Sequence, residues 1–365
     1  MTINRRTLLQ GTAAVAALGS LGVARSASAQ GVDFAGRTIE WIVPFPEGGG
    51  SGVLARFLQP FLTKHMPGNP TVVIRNIAGG GSITGTNEFA ARAQPDGNTI
   101  LVTSATTQFP FLLGDPRVRY DYANFEPLMV SPTGGVVYLP TSYGVESAAD
   151  LGKLDGQELV YGSQGATSLD LVPMIAFLLL GLNVRYVFGM PGRADGRLAF
   201  ERGETTIDYQ TSGAYLANVV PLIEAGEAVP LFSWGVIDEN GEFARDPTFP
   251  DLPHFVEAYE MLHGKPPEGV EFDVYKAVYG SGFAAQKPIV IPKGTPPEIV
   301  ETFRKAFADA VADPELQAIK GEVLGEYVQA TGPAAVTLYN VATTMPDDAR
   351  TWLRNYLETN YEVTF

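Results

Sequence analysis

Short β-branched runs alternate along the chain with apolar stripes of helical spacing. Ile39-Glu40-Trp41-Ile42-Val43 predicts a strand that stops at Pro44, and Gly48-Gly49-Gly50-Ser51-Gly52 follows it. Val53, Leu54, Phe57, Leu58, Phe61 and Leu62 then recur at helical spacing, so a helix with one apolar face is expected, with Ser51 placed to cap it. The unit repeats. Val72-Val73-Ile74 predicts a strand, Gly79-Gly80-Gly81-Ser82 a glycine loop and Thr84 to Ala93 a helix. Pro95-Asp96-Gly97 turns the chain into a third strand, Thr99-Ile100-Leu101-Val102. Strand, loop, helix, strand in this order implies a parallel sheet joined by right-handed crossovers, an α/β fold.

A second set begins near Gly134. Val136-Val137-Tyr138, Leu159-Val160-Tyr161, Val184-Arg185-Tyr186, Ile207-Asp208-Tyr209 and Val229-Pro230-Leu231-Phe232 predict strands. Ser168 to Gly181 predicts a strongly apolar helix capped at Ser168, and Ser212 to Ala225 another helix. Asp238 to Pro253, rich in Gly, Pro and acid, reads as an exposed connection, and Glu257 to Glu271 as a further loop. After Ala277-Val278-Tyr279 the pattern returns to strand. Pro296-Pro297-Glu298 then opens a helix whose Ile299, Phe303, Phe307 and Val311 share a face. Helices over Pro333 to Thr344 and Asp347 to Asn360 end the chain.

Residues 1–29 are set apart from this pattern. Arg5-Arg6 ahead of Leu8-Leu9, a mildly apolar stretch from Gly11 to Val23 and Ala27-Ser28-Ala29 predict a secretory leader cut after Ala29. The paired arginines and Arg25 fit a twin-arginine leader as well as a general one. The longest later apolar run, Met174 to Leu182, is too short to span a bilayer. The chain has no cysteine, which excludes disulfides, thiol catalysis and a lipid anchor on cysteine. A soluble, unanchored periplasmic protein is therefore expected. Loss of three arginines and no acid with the leader takes the net charge from −15 to about −18. So acidic a chain is a poor partner for nucleic acid or anionic lipid. An anionic ligand would need local donors, namely backbone N–H groups and helix N-termini.

The two glycine loops are the chief chemical signal. Each sits where a strand hands over to a helix, the edge at which open α/β sheets bind ligands. Two such loops meeting would hold a carboxylate without any Lys or Arg. A dinucleotide fingerprint fails because Val53 stands where its last glycine is needed, and no Gly-Lys-Ser/Thr follows either run. A third loop, Tyr161 to Ser168, offers hydroxyls and an amide, but Tyr161 replaces the first glycine of a hydrolase elbow. His65, His254 and His263 lack ligand spacing and read as solvated structural residues, so no metal and no cofactor is expected. No nucleophile, base and oxyanion site assemble, which argues against an enzyme. Phe45, Phe109, Phe111, Tyr161 and Tyr209 lean towards an aromatic or apolar acid.

Ile42-Val43-Pro44-Phe45-Pro46-Glu47-Gly48-Gly49-Gly50-Ser51 resembles the IVPFxxGGxxD motif of the solute receptors of tripartite tricarboxylate transporters, the Bug (TctC-like) proteins. Ala78 to Gly85, Pro95 to Thr99, Tyr161 to Gly165, Phe249 to Pro253 and Pro292 to Pro296 resemble later blocks of the same family in the same order. The resemblance implies a two-lobed Venus-flytrap, each lobe a mostly parallel sheet flanked by helices. Lobe 1 would be residues 31–133 with 275–365, lobe 2 residues 134–250, and 251–274 a connector. It also implies a monomer that binds a small organic acid between the lobes and delivers it to integral membrane subunits. Ligand presentation to a membrane sensor, or less favourably an exported hydrolase or lyase, stays open beside it.

Ligand-binding positions expected on these grounds are Phe45, Glu47, Gly48, Gly49, Gly50, Ser51, Gly79, Gly80, Gly81, Ser82, Ser104 and Thr106 in lobe 1. In lobe 2 they are Ser163, Gln164, Gly165, Thr167, Ser168, Asp170, Arg193, Tyr209 and Thr211. The chain departs from the family pattern where Gly52 replaces an aspartate and Asp170 a frequent histidine. A third departure is Val187 to Arg193, which replaces a VPYKG block.

Overall fold

The computed structural model describes residues 32–238 and 241–365. The expected leader and its cleavage point lie outside the described residues. In chain order, β1 (Thr38–Val43), α1 (Gly50–His65), β2 (Thr71–Asn76), α2 (Ile83–Arg92), β3 (Thr99–Val102), α3 (Ala105–Leu113) and β4 (Phe125–Ser131) come first. Next are β5 (Gly135–Pro140), β6 (Leu159–Ser163), α4 (Leu171–Leu179), β7 (Val184–Phe188), α5 (Arg193–Glu201) and β8 (Asp208–Thr211). They lead to α6 (Ser212–Asn218), α7 (Val220–Glu224), β9 (Ala228–Ser233), β10 (Val236–Ile237), β11 (Phe243–Ala244), α8 (Phe255–His263) and α9 (Val270–Tyr279). The last are β12 (Lys287–Pro292), α10 (Pro297–Ala312), α11 (Pro314–Ile319), β13 (Ala330–Thr331), α12 (Gly332–Thr343) and α13 (Asp347–Tyr361).

The main sheet has the order β13-β4-β12-β3-β1-β2. Strands β1, β2, β3 and β4 run one way, and β12 and β13 run against them. Alternate residues of β1 feed two cores, as a strand covered on both faces requires. Ile39, Trp41 and Val43 pack with Leu54, Leu58, Phe303 and Phe307 of α1 and α10. Ile42 packs on the other face with Phe89, Leu101 and Val290. Trp41 meets Phe307 edge-on at 5.7 Å.

In a three-stranded sheet β5 lies between β8 and β9 and antiparallel to both, while β6 and β7 pair in parallel. Helix α4 is buried all round from Leu171 to Phe177 and forms the centre of the largest core. Leu353 and Leu357 of α13 join that core, with α13 packed on α9 and α3. The chain leaves the main sheet over Pro132–Gly134 and returns over Ala285–Gln286 into β12. The Thr133 N–H donates to Phe283 O at 3.1 Å, tying the two passages together.

Several elements differ from the sequence reading. Ala277-Val278-Tyr279 is the last turn of α9, whose buried face is Val274, Tyr275, Val278 and Tyr279, and the strand expected after it is β12. The Glu257–Glu271 loop holds most of α8, which ends at Gly264 with φ 70°. Within the Asp238–Pro253 connection, β11 pairs with β10, and Asp246 is fully buried. Among the described residues no helix is long and apolar enough to cross a membrane.

Candidate ligand-binding site

A cavity of about 300 Å³ opens where the carboxyl ends of β1, β3 and β8 face the start of β12. The loop Phe45–Ser51, Ser104 and Thr106, Gln164 and Leu169, Gly192–Asp195 with Arg197, Gln210–Thr211, Ala214, Asn218, Gln286 and Lys287 line it. Three helices of eight residues or more begin on its wall. Helix α1 starts behind Gly49 and α5 behind Gly192, and neither glycine offers a side-chain cap. Helix α3 starts behind Ser104, which forms a capping box with Thr107. Uncapped N-termini present backbone N–H donors and partial positive charge to whatever fills the cavity. Ser51, expected to cap α1, instead sits inside its first turn, because Gly49 takes the cap position.

Eleven of the expected positions line this cavity: Phe45, Glu47, Gly48, Gly49, Gly50, Ser51, Ser104, Thr106, Gln164, Arg193 and Thr211. The two glycine loops do not meet there. Gly80 and Gly81 line a second cavity of about 410 Å³ with Gly165, Thr167, Ser168 and the carboxy-terminal Glu362–Thr364. Thr106 and Gln164 face both cavities. Gly79, Ser82, Ser163, Asp170 and Tyr209 line neither. Ser82 bonds Thr107 Oγ1 at 2.9 Å. Ser168 does not cap α4, which begins at Leu171; its hydroxyl donates to Gly165 O at 2.7 Å.

Asp170 and Arg193 belong to a buried cluster behind the cavity. Arg193 Nη1 stands 3.3 Å from Asp170 Oδ1, and Nη2 pairs with Asp208. Nη1 also donates to Gly162 O at 2.7 Å. The other Asp170 contacts come from Tyr161 OH at 2.7 Å, Ser163 Oγ at 2.9 Å and the Gln164 N–H at 2.7 Å. The guanidinium lies 5.0 and 4.7 Å from the rings of Tyr161 and Tyr209. Burial opposes the charge on Arg193, but Asp170 and Asp208 outweigh it and hold its pKa well above the usual value. Burial raises the carboxyl of Asp208 against the pull of Arg193. Arg193 therefore pairs its charge within the protein while also lining the cavity. Tyr161, Tyr209 and Phe109 are likewise fully buried core, and only Phe45 among the proposed aromatics reaches the cavity.

Lys287 was not among the expected positions. It opens β12, is 6 % exposed and lines the cavity. Its Cε lies 3.6 Å from the point a Cβ would occupy on Gly50, as does Thr211 Oγ1. Burial alone pushes its pKa down to about 7. Gln286 beside it keeps a buried Oε1 without a partner. Gln210, Arg197 and Asp195 on the same wall also escaped sequence reasoning. A charged residue directly ahead of Pro288-Ile289-Val290-Ile291 was the available signal for Lys287.

The histidines are not solvated as a class. His254 is 8 % exposed and caps α8 through Nδ1, while His65 Nε2 meets Asp313 at 2.7 Å. Among the described residues no group of three or more His, Asp or Glu could hold a metal ion.

The chain matches no family model. It is 30% identical over 296 residues to a UPF0065 protein of Bordetella pertussis strain Tohama I, covering 79% of this chain and 81% of the relative. The chain is a divergent member of the UPF0065 (Bug/TctC-like) family. A second UPF0065 protein, from the tcbD-tcbE intergenic region of Pseudomonas sp. strain P51, is 28% identical over 327 residues, 86% of this chain and 84% of that one. Among solved structures, the periplasmic binding protein BugD aligns with a TM-score of 0.61 at 21% identity, over 89% of this chain and 96% of its own. MatC from Rhodopseudomonas palustris, with bound malate, aligns at 0.64 and 19% identity, over 88% and 99%. R. palustris Rpa4515, with adipate, aligns at 0.64 and 21%, over 90% and 98%. These likenesses establish for this UPF0065 protein the fold of a periplasmic binding protein, a mixed α/β architecture with a central, mostly parallel sheet.

Proposed function

We propose that this UPF0065 protein is a periplasmic receptor that binds a small organic carboxylate in the cavity at Gly48–Ser51 and Lys287. It would deliver that ligand to the membrane subunits of a tripartite tricarboxylate-type transporter. The observation that carries the reading is the convergence of the uncapped N-termini of α1 and α5 and one buried ammonium on a single cavity. An anion there gains fixed donors and a counter-charge without recruiting mobile side chains. The relatives MatC and Rpa4515, solved with malate and adipate, support a carboxylate as the ligand class. Reversible binding is the whole of the chemistry, and export through the amino-terminal leader would bring the protein to the periplasm.

The double passage of the chain between its sheets supports closure of two lobes, 31–133 with 275–365 against 134–250, as the response to ligand. Closure is driven only by the difference in ligand affinity between the two states.

The test is a thermal-shift screen of the purified protein against organic acids and their neutral amides. Stabilisation by an acid and not by its amide is expected, since a ligand that binds only the native form raises Tm by mass action. Absence of a shift with every acid would refute a carboxylate receptor.

A further inference from the structure

The cavity wall carries five charged side chains, and the protein itself engages most of them. Arg193 is held by Asp170 and Asp208, Arg197 by Glu201, and Glu47 by Arg56. Among the described residues Lys287 has no ion-pair partner, and burial is the one influence on its ammonium. A buried ammonium without a counter-ion is costly, so the position is stable in its charged form only when an anion joins it. The place for that anion is defined. It is the cavity that Lys287 and the first turn of α1 line together, with Cε 3.6 Å from the point a Cβ would occupy on Gly50. Gln286 lines the same cavity beside the lysine.

Among the described residues the wall gives the cavity no second unengaged cation. Asp195 instead adds a carboxylate, and Glu47 another at the rim. One counter-charge matches one carboxylate, whereas a second carboxylate would lie in a cavity bordered by like charge. We propose that Lys287 is the direct ion-pair partner of the ligand carboxylate and that the site prefers monocarboxylates to dicarboxylates. The proposal rests on the receptor reading above and narrows it. It separates this chain from MatC and Rpa4515, whose structures hold the dicarboxylates malate and adipate.

Calorimetric titration near pH 6, below the lysine's pKa of about 7, tests it with matched probes. Valerate is set against glutarate, benzoate against terephthalate, and pentanamide and benzamide serve as neutral controls. The expected result is binding of the monoacid at least about tenfold tighter than its diacid, with no binding of the amide. Lys287→Met is expected to weaken the bound acid roughly 30-fold or more, with part of the affinity recovered in Lys287→Arg. Tighter binding of the diacids overturns the preference. Affinity unchanged in Lys287→Met overturns the lysine contact while leaving a carboxylate receptor standing. No binding by any of the four acids overturns the receptor reading and the lysine proposal together.

Discussion

Asp170 Oδ1 and Arg193 Nη1 stand 3.3 Å apart in a cluster where Asp170 is fully buried and Asp208 holds the other end of the guanidinium. Two carboxylates and one guanidinium leave that cluster with an excess negative charge. Hydroxyls and amides of Tyr138, Tyr161, Ser163 and Gln210 spread the excess. The cluster fixes the third loop against the start of α5, both of which line the cavity, so it shapes the site.

Breaking this pair is expected to be costly. Arg193→Met leaves two buried carboxylates without a cation and should lower unfolding free energy by about 3–5 kcal/mol. Adding Asp170→Asn to Arg193→Met removes one of the stranded charges. The double variant should therefore be less destabilised than the sum of the single changes by about 1 kcal/mol or more. Urea denaturation of the four proteins measures the cycle, and strict additivity would show that the residues are not coupled.

The same pair shows what a sequence does and does not disclose. Asp170 and Arg193 each stand out as departures from the family pattern, but 23 positions of chain hide that one departure answers the other. Strand β1 and helix α1 were legible because large residues such as Trp41, Leu54 and Leu58 carry their periods. Helix α5 was not, since Gly196 and the polar residues around it leave only Ala199 and Phe200 to mark a buried face. Lys287 was illegible for a different reason. A lysine at a strand's start is ordinarily solvated; here the first turn of α1 and Thr211, distant in the chain, enclose it.

The two glycine loops should separate cleanly by substitution. At Gly50 a Cβ would meet nothing closer than 3.6 Å, so Gly50→Val is expected to fold, but its methyl groups would fill the space before Lys287. Loss of acid binding by about 100-fold is expected, with Tm changed by only about 2 °C. Gly80 has φ +58°, a conformation that valine strains, and it lines the other cavity. Gly80→Val should therefore lower Tm yet leave acid affinity in place. The opposite assignment of effects in a paired titration and melt would move the ligand to the second cavity.

Tyr327 and Gly134 form a second point of fixed geometry. The Tyr327 hydroxyl lies 2.5 Å from Asp246 Oδ2 and 2.6 Å from Ser212 Oγ, and burial is the main cause of the raised Asp246 pKa. A Cβ on Gly134 would strike both Asp246 Oδ2 and Tyr327 OH, so alanine cannot be accommodated without displacing the two. Tyr327→Phe should cost about 1–3 kcal/mol by leaving a buried carboxylate short of a donor. Gly134→Ala should cost less in the Tyr327→Phe background than alone, because the hydroxyl it strikes has gone. Equal costs in the two backgrounds, measured by urea denaturation, would show that the hydroxyl does not set the clash.

Lys287 makes stability and binding depend on pH in opposite senses. The native pKa of about 7 lies below the ordinary 10.5, so between these values the unfolded chain holds a proton that the native chain has released. Stability in the absence of ligand should therefore rise with pH from about 7 to 10.5 on this residue's account. Lys287→Met, which never carries that buried charge, should melt several degrees above the parent protein near pH 6, and the gap should narrow towards pH 10. Binding runs the other way. A carboxylate needs the ammonium, so affinity should be greatest below pH 7 and fall above it by up to about tenfold per unit, with a proton taken up as ligand binds. Glu47, Arg193, Asp195 and Arg197 share the cavity wall with Lys287, and among the described residues no other titratable group lines the adjoining pocket on its far side. Melts and titrations of both proteins from pH 5.5 to 9.5 check the two trends together. A variant that is more stable yet unable to bind would mark the lysine as retained for its ligand at the expense of the fold. Parallel pH curves for the two proteins would show that Lys287 stays charged throughout and that another group governs the site.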